Sequence, residues 1–162
     1  MAYETIKLTK YSDVIREHTA HAAITPGMLL ELDSDNEVRA HDTAQGSCVP
    51  IMFALEDELQ GRGIDTDYAV ADQVQVWIPY RGDIVNALLR DEETIVIGDF
   101  LESDGEGLLQ KYSAPVSGDV DVHAAPIVGV AMNAVDLSTL PEGSESSAGG
   151  LYHNPRIRVM II

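Results

Sequence analysis

Cysteine, lysine and long apolar runs are all scarce in this chain of 162 residues. The single cysteine, Cys48, cannot form a disulfide within the chain, which excludes the small secreted proteins that depend on several disulfides. No apolar run approaches the roughly 20 residues that cross a bilayer. The first part of the sequence also lacks the apolar core of a signal peptide, so we expect a protein that is not exported by the usual route.

Basic residues are few as well. Ten lysines and arginines stand against 27 acidic residues, which gives a formal net charge of −17. Sequence-independent binding to nucleic acid is therefore not expected, because its affinity comes from lysine and arginine side chains that displace counterions from phosphates. Binding to anionic membranes is disfavoured for the same reason. This composition is typical of halophile proteins that function in high salt, and an ordinary acidic protein is the alternative.

The charge is distributed unevenly. Residues 1–21 contain as many basic as acidic residues, whereas residues 31–67 are strongly acidic and contain only two arginines. The last segment, residues 156–162, contains two arginines and no acidic residue. We therefore expect an acidic partner, or a second copy of the chain, to meet least repulsion at the two chain ends.

Short apolar segments separated by Gly, Pro, Asn and Asp predict a mainly β protein. Residues 73–78 alternate cleanly, with Val74, Val76 and Ile78 on one face, and so predict a strand. Residues 24–32 lead into a turn at residues 33–36, which predicts a hairpin. Apolar segments at residues 48–55, 84–89, 95–97 and 127–132 also predict strands, although 84–89 could be one helical turn.

The domain organisation follows from these segments. We predict a small β-barrel-like or β-sandwich domain over residues 22–162, large enough to bury a core without disulfides or metals. Residues 1–21 are predicted to form an extended N-terminal arm, in which Ile6 and Leu8 alternate with polar residues. Glycine and serine in the segment at about 138–154 predict a flexible loop.

Motifs for catalysis and cofactors are missing. There is no Gly-Lys pair for a phosphate-binding loop, and His18 and His21 lack the pattern of a hydrolytic zinc site. The acidic turns at residues 33–37 and 102–106 fail the spacing of a calcium-binding EF-hand, and loose cation binding by them stays open. Cys48 is interpreted as a small core residue. We therefore predict no catalytic residue, no metal site and no cofactor.

Several segments in a fixed order resemble the capsid decoration, or cement, proteins of tailed double-stranded DNA viruses. They are ITPGMLLEL, PIMFALED, YRGDIVNALL, IVIGDFLESDGEGLLQKY, PIVGVAMNAVD and RIRVMII, and together they cover most of residues 22–162. The resemblance implies a non-enzymatic virion protein, made in the host cytoplasm, that sits as a homotrimer on the outer surface of an icosahedral head. It also implies that the protein stabilises the head by bridging subunits of the major capsid protein. The segment after residue 140 departs from the family pattern.

The resemblance further implies that the N-terminal segment contacts the major capsid protein. Within it, Tyr3, Ile6 and Leu8 are predicted to pack against the shell, while Lys7 and Lys10 pair with acidic residues there. A frayed, solvated terminus is the alternative interpretation of these residues.

Two other functions are considered. A ligand- or glycan-binding β-module could use Trp77 and Tyr80 as a stacking platform, although core packing is the simpler role for both. An acidic hydrolase could use carboxylates such as Asp99 and Glu102. The tripeptide Arg81-Gly82-Asp83 also spells an adhesion motif, and we interpret it as an ordinary turn.

Overall fold

The computed structural model describes residues 4–10, 13–114, 126–139 and 155–162. Within these ranges the chain forms β-strands and one 3₁₀ turn at Glu58–Gln60, and no helix there is long and apolar enough to cross a membrane. The predicted mainly β fold is confirmed. The strands are β1 (Lys7–Thr9), β2 (Val14–Thr19), β3 (Leu29–Leu32), β4 (Val38–Ala40), β5 (Met52–Ala54), β6 (Gln73–Ile78), β7 (Ile84–Leu88), β8 (Thr94–Ile95), β9 (Phe100–Ser103), β10 (Leu109–Lys111), β11 (Ile127–Ala131), β12 (Val135–Asp136) and β13 (Arg156–Ile161).

Two antiparallel sheets make up most of the domain. The larger has six strands in the order β1-β7-β13-β11-β9-β10, and the smaller has five in the order β2-β6-β5-β3-β4. A short ladder of β12 and β8 lies apart from both. The predicted hairpin at residues 29–40 and the predicted strand at residues 73–78 are both present.

Both sheets curl strongly. In the six-stranded sheet, the chain just after β7 meets β10 through a parallel bridge between Leu89 and Leu109. In the five-stranded sheet, the end of β2 meets β4 through a parallel bridge between Ala20 and Val38. Each contact is a single bridge and not a continuous ladder, so the described strands form two curled sheets without a closed barrel.

The core has two parts, and β6 separates them. Trp77 points into the larger cluster, where it lies with Phe53, Leu29 and the inward residues of the six-stranded sheet. Val74 and Val76 point the other way, into a smaller cluster enclosed by the curl of the five-stranded sheet. The predicted alternation of β6 is therefore correct, and both of its faces are buried.

The N-terminal segment is part of the domain, which corrects the predicted arm. β1 pairs with β7 in one sheet, and β2 pairs with β6 in the other. Ile6 is completely buried, and its backbone N–H donates to Glu56 Oε2 at 3.1 Å. The alternation around Ile6 and Leu8 does correspond to a strand, β1. This strand pairs with β7 of the same domain, so residue 21 is not a boundary between structural units.

Two strand predictions are wrong in extent. Residues 95–97 were expected to form a strand, but β8 ends at Ile95, and Val96 and Ile97 are 55% and 68% exposed. Residues 48–55 form a strand only from Met52 to Ala54. Most of the loop predicted at about 138–154 lies outside the described residues.

Candidate interaction surface

One register row of the six-stranded sheet carries apolar side chains on its outer face. Ile84 pairs with Met160, Met160 pairs with Val130, and Val130 pairs with Phe100. Paired residues share a face of a sheet, so these four form a continuous row, which we name the apolar strip. Phe100 is 47% exposed, and the other three are partly buried.

The residues next to the strip in sequence point inward and are buried. Val85, Val159 and Leu101 all belong to the larger core cluster and are completely buried. The six-stranded sheet is therefore apolar on both faces along this row. A partly exposed apolar row on a sheet is a feature of sites that bind another macromolecule.

Further exposed apolar residues lie near the ends of the strip. Ile162 follows Met160 by two residues and is 41% exposed. The turn that contains Val96 and Ile97 leads into β9, and Gly98 N–H in that turn donates to Ala131 O at 2.9 Å. These residues enlarge the apolar surface beyond the four residues of the strip.

Acidic side chains are absent from the strip itself. The adjacent row contains Asn86 paired with Arg158. Asp99, which precedes β9, receives a hydrogen bond from Lys111 Nζ at 2.8 Å, and this bond lowers the pKa of the carboxyl. The strip and the Asn86–Arg158 pair beside it therefore contain no acidic side chain.

The two chain ends, where we expected least repulsion of an acidic partner, lie close together in the structure. β1 and β13 come from the two ends of the sequence, and both lie beside β7 in the six-stranded sheet. The segments that carry the least net negative charge are therefore neighbours. This places them together on the sheet that bears the apolar strip.

The predicted capsid-contact residues are not all available on the surface. Tyr3 lies outside the described residues, Ile6 is buried in the core, and Leu8 is partly buried. Lys7 and Lys10 both contact Asp13, with Nζ to carboxylate distances of 3.4 and 2.6 Å. The hydrogen bond from Lys10 lowers the pKa of Asp13. Both lysines remain partly exposed while they hold this acidic partner.

The sites considered for other functions are dispersed or buried. Trp77 is completely buried whereas Tyr80 is 58% exposed, so the two do not form a stacking platform. Glu102 is also completely buried, and Asp99 lies three residues before it, which places the two carboxyls on opposite faces of an extended chain. The structure therefore does not present them as an exposed catalytic pair.

Asp83 of the Arg81-Gly82-Asp83 tripeptide is buried. Its carboxylate accepts the Tyr80 N–H at 2.7 Å, and Gly82 N–H donates to Ile161 O at 2.9 Å. The predicted turn is confirmed. An adhesion receptor could not reach this carboxylate.

Cys48 and His41 belong to a buried polar group between the two sheets. His41 Nε2 lies 3.2 Å from Ser47 O, and its Nδ1 lies 2.8 Å from Ser103 Oγ. Burial, together with the charges of Glu31 and Glu102, raises the pKa of the Cys48 thiol to about 12. Cys48 is buried as predicted, and such a high pKa is that of an unreactive thiol.

The strip was missed by sequence reasoning, although a signal for it exists. In residues 156–162 the inward positions are Ile157, Val159 and Ile161, while Met160 and Ile162 provide apolar residues on the other face. A strand that is apolar on both faces is either covered on both sides or exposes an apolar surface. That inference needs the pairing of β13, which only the structure supplies.

Comparison with known proteins identifies a structural neighbour. No family model matches the sequence, and no curated protein is similar enough to count as a relative. Among solved structures, the head fiber gp8.5 N base of bacteriophage phi29 is similar with a TM-score of 0.54. The alignment covers 93% of this chain and 95% of that chain at 13% sequence identity. A likeness at this identity shows a common fold.

Proposed function

We propose that this protein is a structural component of a phage or virus head, and that it binds the outer surface of the capsid. The observation that carries the proposal is the fold shared with a phage head fiber base over nearly the full length of both chains. The ordered segments that resemble capsid decoration proteins support the same assignment independently. A role in binding rather than catalysis is also consistent with the burial of Cys48 and Glu102.

The proposed mechanism is stabilisation by added contacts. A protein that binds only the intact shell, and bridges neighbouring subunits of the major capsid protein, lowers the free energy of that shell by RT ln(1 + [L]/Kd). At a hundredfold excess over Kd this amounts to about 2.7 kcal/mol per site, and many sites multiply it. The net charge of −17 would limit aggregation of decorated heads.

We assign the capsid contact to the apolar strip, with Lys7 and Lys10 at the neighbouring β1 edge as supporting charges. The strip offers apolar area without acidic side chains, and apolar residues at the centre of an interface supply most of its binding energy. Deletion of the N-terminal segment would be a poor test, because it would remove Ile6 from the core. Point substitutions on the surface avoid that problem.

The test is co-sedimentation of the purified protein with empty and filled heads of the virus that encodes it. Phe100→Ser is the informative variant, and Leu59→Ser is its matched control, since Leu59 is 92% exposed on the 3₁₀ turn outside the strip. We expect Phe100→Ser to weaken binding about tenfold or more, the usual effect of truncating a central aromatic contact. Leu59→Ser should bind like the unmodified protein.

Two results would contradict this proposal. Failure of the unmodified protein to bind either kind of head would remove the capsid function itself. Equal binding of both variants would leave that function in place but would exclude the apolar strip as the contact.

Light scattering of the free protein checks the homotrimer that we propose as its assembly state.

A further inference from the structure

Three side chains with metal-binding groups meet where β2 and β4, the two edge strands of the five-stranded sheet, approach each other. His21 follows β2, and Asp33 and Glu37 flank the turn between β3 and β4. Nδ1 of His21 lies 3.0 Å from Oδ2 of Asp33 and 3.0 Å from Oε2 of Glu37. The three ligand atoms all lie within 4.8 Å of one another.

The backbone around this cluster is fixed by hydrogen bonds. His21 N–H donates to Val38 O at 2.9 Å, which holds the end of β2 against β4. Asp33 N–H donates to Glu37 O at 3.0 Å and closes the turn. Oδ1 of Asp33 accepts the N–H groups of Asp35 and Glu37, so Oδ2 is the oxygen directed at His21.

The spacing and the donor types suit a transition-metal ion. Ligand bonds of about 2.1 Å at tetrahedral angles separate neighbouring donor atoms by about 3.4 Å, so small side-chain movements would bring the three donors to that spacing. An imidazole nitrogen with two carboxylate oxygens is a donor set for zinc and related ions, whereas calcium and magnesium prefer oxygen ligands alone. His21 has about half of its side chain exposed, so water can complete the coordination.

We propose that His21, Asp33 and Glu37 bind one divalent transition-metal ion of the zinc class. Its structural effect follows from its position, because it would link the residue after β2 to the β3–β4 turn beside the bridge between Ala20 and Val38. An ion that binds only the folded chain stabilises it by mass action. The strongly negative chain would also raise the local concentration of cations.

Sequence reasoning could not assemble this site. His21 was noted beside His18, and Asp33 and Glu37 were noted as an acidic turn, but nothing in the spacing joined the two segments. Of the two histidines, the structure points to His21. Among the described residues, His21 is the histidine that lies in a cluster of possible metal ligands. His18 is therefore a natural control.

The test is calorimetric titration of the full chain, prepared without a polyhistidine tag, with zinc chloride and separately with magnesium chloride. We expect one zinc ion per chain and much weaker binding of magnesium. His21→Ala and Glu37→Gln should each weaken zinc binding at least tenfold, whereas His18→Ala should not change it. Zinc should also raise the melting temperature of the unmodified protein and of His18→Ala, but not that of His21→Ala.

Three results would overturn the proposal. The first is no zinc binding up to millimolar concentrations, which is expected if His21 is only a hydrogen-bond partner of the two carboxylates. The second is zinc binding that survives in His21→Ala. The third is an equal loss in His18→Ala, which would assign the ion to the histidine pair. None of these results bears on attachment to capsids, so this inference and the proposed function can fail separately.

Discussion

The guanidinium of Arg156 occupies the space that a side chain on Gly27 would need. A Cβ atom built on Gly27 would overlap Nη1 of Arg156, and this nitrogen donates to Pro26 O at 2.8 Å. Nη2 of Arg156 donates to Ile64 O at 2.6 Å. A single side chain of β13 therefore ties the turn before β3 and the loop at Ile64 to the six-stranded sheet.

This relationship predicts the effect of Gly27→Ala. Gly27 has a φ of +93°, a conformation that alanine adopts only with strain, and the added methyl group would also displace Arg156. We expect a loss of about 2–4 kcal/mol in the free energy of unfolding, because strain and a displaced buried charge act together. Urea denaturation followed by circular dichroism measures it.

Gly82→Ala is the matched control for that experiment. Gly82 has nearly the same φ, +92°, but a Cβ atom there would meet nothing within 4 Å. Its substitution should show the backbone strain alone, which is about 1–2 kcal/mol. Equal losses for the two variants would mean that the packing of Arg156 against Gly27 contributes nothing to stability.

Asp104 provides a prediction about pH. Its Oδ1 accepts the N–H groups of Glu106 and Leu108 at 2.8 and 3.0 Å, while burial raises the pKa of the carboxyl. A raised pKa in the folded state means that folding favours the protonated form, so the ionised carboxylate costs stability at neutral pH. Asp104→Asn keeps an acceptor oxygen and removes the charge. We expect a higher melting temperature at pH 7 and no gain near pH 3, where the aspartate is already protonated.

Asp99 should show the opposite behaviour. Hydrogen bonds from Lys111 Nζ and Val96 N–H lower the pKa of its carboxyl, so its stabilising contribution is present above the unfolded-state pKa, near 4. This contribution is lost as the pH falls through the lowered value. Asp99→Asn should therefore lower the melting temperature at pH 7 and have little effect near pH 2. A rise for both Asp99→Asn and Asp104→Asn at pH 7 would contradict the assignment of Asp99, and a fall for both would contradict that of Asp104.

The sequence revealed strands more readily than it revealed their partners. β6 alternates clearly, and the turn after β3 contains Asp33 and Asn36, so local chemistry predicted both. The place of β1 depends on pairing with β7, which lies far away in the chain, and no local pattern encodes such a pairing. The predicted arm failed for this reason.

The same distinction applies to the candidate sites. The burial of Cys48 and the turn at Gly82 were predictable, because each depends on its immediate neighbours. The apolar strip needs four strands to be placed in register, and the cluster at His21 needs β2 to meet β4. Both are products of tertiary structure, so residue spacing could not indicate them.

The net charge of −17 leads to a prediction about salt. Repulsion between surface carboxylates opposes folding, and salt weakens it because the screening length falls from about 10 Å at 0.1 M to about 3 Å at 1 M. Screening alone should therefore raise the melting temperature up to about 1 M sodium chloride and then have little further effect. If the acidic composition is an adaptation to high salt, as the sequence suggests, we expect the melting temperature to continue rising at several molar. Thermal unfolding across this range of sodium chloride concentrations distinguishes the two cases. A plateau or a fall of the melting temperature above about 1 M would remove the inference of a halophile source. It would leave the fold and the apolar strip unaffected.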